Sequence, residues 1–153
     1  EGFSPSDNKV STVYLRRIET YLRQQSGRRD PLSRDLTVEH IIPQKLPDIS
    51  QWYQPLSLPP REILDSFTES IVENIGNKLL LFPDDNTSAS NNLYQEKVDV
   101  YNNGCNGQTQ GTPVITFELV KRLLETYPSQ FNHEEVQKRA KELAKIAKEI
   151  WKI

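Results

Sequence analysis

Glu39 and His40 stand side by side in the run TVEHIIPQ, residues 37–44. Val38, Ile41 and Ile42 favour a buried strand. A carboxylate and an imidazole do not belong in one without a purpose. Side chains alternate along a strand, so one of the pair faces each side. His40 is one of only two histidines, which makes its position informative. Its unperturbed pKa of about 6.5 lets the neutral ring take a proton from water near neutral pH. Downstream, Asn77 opens the apolar run KLLLF, and Asn86 lies in the polar stretch that follows. Glu39 offers carboxylate oxygens and Asn86 an amide oxygen, hard donors suited to Mg²⁺ or Mn²⁺. A neutral histidine beside a metal-bound phosphate is the equipment for hydrolysing a phosphodiester. Taken alone, Glu-His on a strand also describes a core-edge histidine beside a surface glutamate, because short motifs match by chance.

The elements that must position these residues follow from periodicity. Residues 10–25 read as a helix, with Val10, Val13, Tyr14, Arg17, Ile18, Tyr21 and Leu22 on its apolar face. SGRRDPLSRD is a loop by composition. Residues 36–42 form a strand candidate stopped by Pro43. Residues 45–60 hold four prolines and no clear period, which indicates a long surface connection. Residues 60–74 are helical again, with Ile63, Leu64, Phe67, Ile71 and Val72 on one face, and Gly76 ends the segment. KLLLF is a short strand and PDDNTSASNN a turn-rich connection. A short helix over 93–101 and a loop, NNGCNGQTQGTP, come next. A helix over 117–127 has Thr116 as a potential cap. The last helix, 133–152, starts at a capping pair, Asn132 and Glu135. Val136, Ala140, Leu143, Ala144, Ala147, Ile150 and Trp151 mark its buried face, with Arg139 and the lysines on the solvated side. His133 reads as local structure at the helix start. The expected fold is mostly α (α+β), a single helical domain over 1–153 with a short two-stranded hairpin and a β-β-α order in the middle.

Bulk properties narrow the classes. With 153 residues, 35% hydrophobic and 26% charged, the chain suits one globular domain with a polar surface. No apolar run approaches the ~20 residues of a membrane span. The opening EGFSPSDNKV has no signal-peptide pattern, and the absence of methionine throughout suggests a piece of a longer protein. The single cysteine, Cys105, excludes an intrachain disulfide and a cysteine-built zinc site, and fits a reducing cytoplasm. A net charge of −2 counts against a dedicated nucleic-acid binder, though not against an enzyme that touches DNA briefly.

VEHIIPQ followed by NKLLLFPDDN resembles the HNH, or ββα-metal, nuclease motif. Glu39-His40-Ile41 with Pro43-Gln44, Gly76-Asn77 with Leu79 to Leu81, then Asn86, Lys97 and Tyr101 resemble the C-terminal HNH domain of GmrSD and SspE type phage-defence restriction proteins. VQKRAKELAKIAKEIW resembles that family's closing helix. The resemblance implies a ββα-metal core over about 36–101 with a helical insertion over 45–75. It implies a metal-dependent DNA endonuclease or nickase of a bacterial, modification-sensing antiviral system. His40 would be the general base. Glu39 and Asn86 would hold one Mg²⁺ or Mn²⁺. Asn77 would secure the catalytic loop. Lys97 would meet a phosphate. Products would carry 5′-phosphate and 3′-hydroxyl ends, and an N-terminal domain would hydrolyse nucleotide and sense the modification.

Plainer readings stand beside these. Glu39 is otherwise a surface carboxylate, Asn77 a helix-end residue, Asn86 a turn residue and Lys97 a solvated lysine. Arg28, Arg29 and Arg34 are either contacts to the DNA backbone or a solvated loop. Trp52 and Tyr53 stack on a base or pack in a loop. For the whole chain, the rivals are a catalytically silent DNA-binding or docking module and a structural helical interaction domain. Cutting both strands with one site per chain is simplest with two copies.

Overall fold

A two-stranded antiparallel sheet sits at the centre of the molecule. Thr37–His40 (β1) pairs with Lys78–Leu81 (β2), with Thr37 opposite Leu81 and His40 opposite Lys78. The computed structural model describes residues 8–45, 68–105 and 117–152. Five α-helices are found among the described residues: Asn8–Gln25 (α1), Pro83–Ala89 (α2), Tyr94–Asn103 (α3), Glu118–Thr126 (α4) and His133–Trp151 (α5). A π-helical turn over Thr68–Val72 and a 3-10 turn over Ile75–Asn77 lead into β2. The mostly helical chain with one hairpin is the α+β class expected. Trp52, Tyr53, Thr116 and most of the 45–75 insertion lie outside the described residues.

Every residue of β2 is buried, and Leu79, Leu80 and Leu81 are completely so. A strand covered on both faces carries a continuous apolar run in place of alternation. α1 and α4 pack on β2, and α1 and α2 on β1. Leu15, Ile18 and Leu22 of α1, Val120 and Leu123 of α4, and Val136 and Leu143 of α5 complete the core.

The inward face of α1 differs from the expected one. It is Ser11, Leu15, Ile18, Glu19, Leu22 and Arg23, while Val10, Val13 and Arg17 are exposed. Glu19 is buried because its carboxylate accepts the backbone N–H groups of Glu118 (2.8 Å) and Leu119 (2.9 Å) and the Nε–H of Arg23 (2.8 Å). It thereby caps α4, satisfying donors that a helix start leaves open.

PDDNTSASNN is not simply a turn: α2 occupies residues 83–89. Pro83 at the first helical position, with Asp84 and Asp85 in the first turn, is a helix-start signature, overridden in the sequence reading by turn-rich composition.

α5 opens on the expected capping box, with Asn132 accepting from Glu134 N–H and Glu135 accepting from Asn132 N–H. Its buried face is narrower than expected, since Ala144 and Trp151 are exposed. Trp151 instead stacks on Tyr14 of α1, with centroids 5.5 Å apart. Arg139 is the larger correction. It is buried, not solvated, and its Nη1 donates to the carbonyls of Gly76 and Lys78, both at 2.8 Å. Burial lowers its pKa to about 10.

Gly76 is not a left-handed helix cap. Its role is close approach: a Cβ there would lie 2.0 Å from Val136 O and 2.8 Å from Ala140 N. Only glycine lets the α5 backbone rest on this turn.

Candidate active site

β1 delivers Glu39 and His40 together, and α2 delivers Asn86 beside them. All three line one cleft of about 240 Å³, with Pro43, Gln44 and Lys45 along its wall. Asn86 is oriented by its amide nitrogen. Nδ2 donates to Thr37 Oγ1 (2.9 Å) and to Val38 O (3.0 Å), tying α2 to β1. Two acceptors on the nitrogen fix which way the amide faces. The carbonyl oxygen Oδ1 therefore stays clear of that tether.

Glu39 is 3% exposed, and two buried side chains donate to it. Lys97 Nζ lies 2.6 Å from Oε1, and Tyr101 Oη donates to the same oxygen at 2.8 Å. Lys97 also donates to His40 O at 2.7 Å. Lys97, expected at a phosphate, is thus wholly buried and engaged within the protein. Lys97 and Tyr101 are four residues apart on α3, hence on one face, a spacing from which their joint action on one partner could have been expected. Burial pushes the Glu39 pKa up, while the Lys97 ammonium and the Tyr101 hydroxyl oppose that shift. Both donors converge on Oε1, so neither occupies Oε2.

His40 is 8% exposed, and burial holds its pKa below the usual histidine value despite the nearby Glu73 carboxylate. The ring is therefore neutral at pH 7, the form a general base needs. Glu73, which no motif singled out, approaches His40 Nε2 at 3.4 Å through Oε1 and 3.5 Å through Oε2.

Asn77 is completely buried and clamps the segment that follows His40. Its Oδ1 accepts from Ile42 N–H at 2.7 Å. Its Nδ2 donates to Ile42 O (2.9 Å) and Val72 O (3.0 Å), and its carbonyl accepts from Ile41 N–H (2.9 Å). One side chain thus holds both polar groups of the Ile42 backbone.

The arginines lie apart from this cleft, and none of the three lines it. Arg28 pairs with Asp30 (2.9 Å) and Glu118 (3.4 Å), whereas Arg29 and Arg34 are exposed. Lys45, exposed at the cleft wall, is a cation the sequence reading did not single out.

The family model for the C-terminal domain of GmrSD restriction endonucleases matches residues 1–146. The chain belongs to this family. GmrSD membership implies restriction-endonuclease function with DNA as substrate. No curated protein and no solved structure matches the chain. Among the described residues, no helix is long and apolar enough to cross a membrane.

Nor do the described residues contain a group of three His, Cys, Asp or Glu placed to hold a metal. The donor set to weigh for this GmrSD domain is therefore one carboxylate and one amide. That set fits Mg²⁺, which commonly takes one or two protein ligands, several waters and substrate phosphate. Lys97 offsets the charge of Glu39, so this pair alone would hold a cation weakly.

Proposed function

We propose that this GmrSD domain is an HNH-type, metal-dependent DNA endonuclease that nicks or cuts phosphodiester bonds in a modification-sensing defence system. The observation that carries the reading is that Glu39, His40 and Asn86 all line one cleft, with the backbone behind His40 held by Asn77. The β1, β2, α2 order supports it as a ββα element.

In this mechanism neutral His40 takes a proton from water, the resulting hydroxide attacks phosphorus in line as the bond to the 3′ oxygen breaks, and that oxygen takes a proton from solvent. Asn77 keeps the His40 segment from drifting, because near-attack geometry tolerates little misplacement. A Mg²⁺ or Mn²⁺ held by Glu39 and Asn86 would offset charge on the phosphate and on the leaving oxygen. Lys97 and Tyr101 hold Glu39 in place, and Lys97 ties it to the His40 carbonyl. Exposed Lys45, Arg29 and Arg34 are the available cations for backbone phosphates. Products are 5′-phosphate and 3′-hydroxyl ends, and modification sensing belongs to a nucleotide-hydrolysing N-terminal domain.

A second reading is a catalytically silent docking module on the same fold. The Lys97–Glu39 pair favours it, since a neutralised carboxylate attracts a cation poorly. Plasmid relaxation by the purified domain separates the two readings. Mg²⁺- or Mn²⁺-dependent nicking, stopped by EDTA and by His40→Ala, is the expected result. A folded domain that nicks with neither metal, tested again within the full-length protein and still inactive, would leave the docking module.

A further inference from the structure

Two short segments close on each other around the histidine. Residues 40–44 and 73–78 are joined by the Asn77 clamp, by Gln44 Nε2–H donating to Glu73 Oε1 (2.8 Å), and by the His40–Glu73 approach. Glu73 is held from a third side by Lys78, whose Nζ lies 3.0 Å from Oε2. Lys78 is itself buried and also donates to Ser11 Oγ at 3.2 Å. The Glu73 carboxylate is therefore fixed by neighbours on two elements before any substrate arrives.

We infer that Glu73 is the positioning residue of His40, fixing the ring proton on Nε2 and leaving Nδ1 as the nitrogen that takes the proton from water. This rests on the reading of His40 as a base. The chemistry is one-sided: an ionised carboxylate only accepts hydrogen bonds, so the ring nitrogen facing it must carry the proton. Burial would raise the Glu73 pKa, but Gln44, Lys78 and His40 outweigh that and hold it below the usual glutamate value, so the group is ionised at neutral pH. Nε2 lies almost equally far from both carboxylate oxygens, which centres the ring on the carboxylate. A nucleophile-activating base oriented by a third group is a general catalytic arrangement. Here that group comes from the turn before β2, outside the acid-His-Asn set read from sequence.

The test has a spectroscopic and a kinetic arm. Metal-free, ¹⁵N-labelled protein is observed by imidazole ¹H–¹⁵N correlation at alkaline pH, with His133→Gln used to assign the two rings. A resolved, exchange-protected Nε2–H proton on His40, lost in Glu73→Ala, is expected. A proton on Nδ1 in the parent protein, or an Nε2–H signal unchanged in folded Glu73→Ala, would overturn the inference. In plasmid nicking, Glu73→Ala should lower kcat by about 10–100-fold with KM for DNA little changed. Glu73→Gln keeps an acceptor oxygen without the charge and should fall between. An unchanged kcat in folded Glu73→Ala would also refute the role. A parent protein that never nicks defeats the nuclease reading alone, since the spectroscopic arm still decides the proton's place. Should Glu73→Ala not fold, the parent's own proton position remains decisive.

Discussion

Lys97 Nζ and Glu39 Oε1 meet at 2.6 Å although the residues are 58 positions apart, and both side chains are buried. Removing one member strands the other as an uncompensated buried charge. Lys97→Met should therefore lower stability by about 3–5 kcal/mol in urea unfolding. Lys97→Met combined with Glu39→Gln should recover part of that loss. A Lys97→Met protein that unfolds at the parent's midpoint would contradict the buried pair.

The contact of Gly76 with α5 makes a sharp steric prediction. Gly76→Ala puts a methyl on the carbonyl of Val136 and should cost about 3 kcal/mol or more in thermal unfolding. Gly27 offers the contrast. Its φ of +80° strains any side chain, but no atom lies within 4 Å of a Cβ there. Gly27→Ala should cost only about 1 kcal/mol. Equal losses at the two positions would count against direct backbone packing.

Asn77→Ala abandons the N–H and C=O of Ile42 and the C=O of Val72 in the interior. Each buried group left unpaired costs about 1–3 kcal/mol. Asn77→Asp should be no milder, because it sets a carboxylate against two carbonyl oxygens. Both variants should show lower unfolding midpoints and weaker nicking, whereas a purely catalytic residue would affect nicking alone.

A pH dependence follows from the Arg28 cluster. Its hydrogen bond from Arg28 holds Asp30 below the usual carboxylate pKa. Burial would raise Glu118, but Lys121 and Arg28 outweigh it, so its pKa is also lowered. Depressed carboxylates contribute stability above their unfolded values, about 4, and lose it as pH falls through the folded ones. Arg28→Ala should melt slightly below the parent at neutral pH, with the gap closing in acid. A gap that widened on acidification would reverse the sign and exclude these pairs as its source.

The hairpin was readable because apolar runs around Glu-His and in KLLLF announce strands, and Asn132 with Glu135 announces α5. Lys97 and Arg139 were not readable as interior groups, nor half-buried Glu73 as the neighbour of His40. Charged residues default to the surface, and each of these meets a partner more than 30 positions away. The residue type of Asn86 marks it as a potential ligand, but its tether to Thr37 and Val38 depends on α2 packing on β1, which no local pattern encodes.

Arg139 grips the carbonyls of Gly76 and Lys78 from 63 and 61 positions further along the chain, and the backbone of Val136 rests on Gly76. The consequence is one of timing. A chain emerging from the ribosome begins to fold from its N-terminal side. Both described strands are synthesised well before α5, yet the turn carrying Asn77 lacks its brace until α5 has emerged. The cleft at His40 thus matures late in synthesis, and nascent chains stalled ahead of Arg139 should carry the histidine without its finished surroundings.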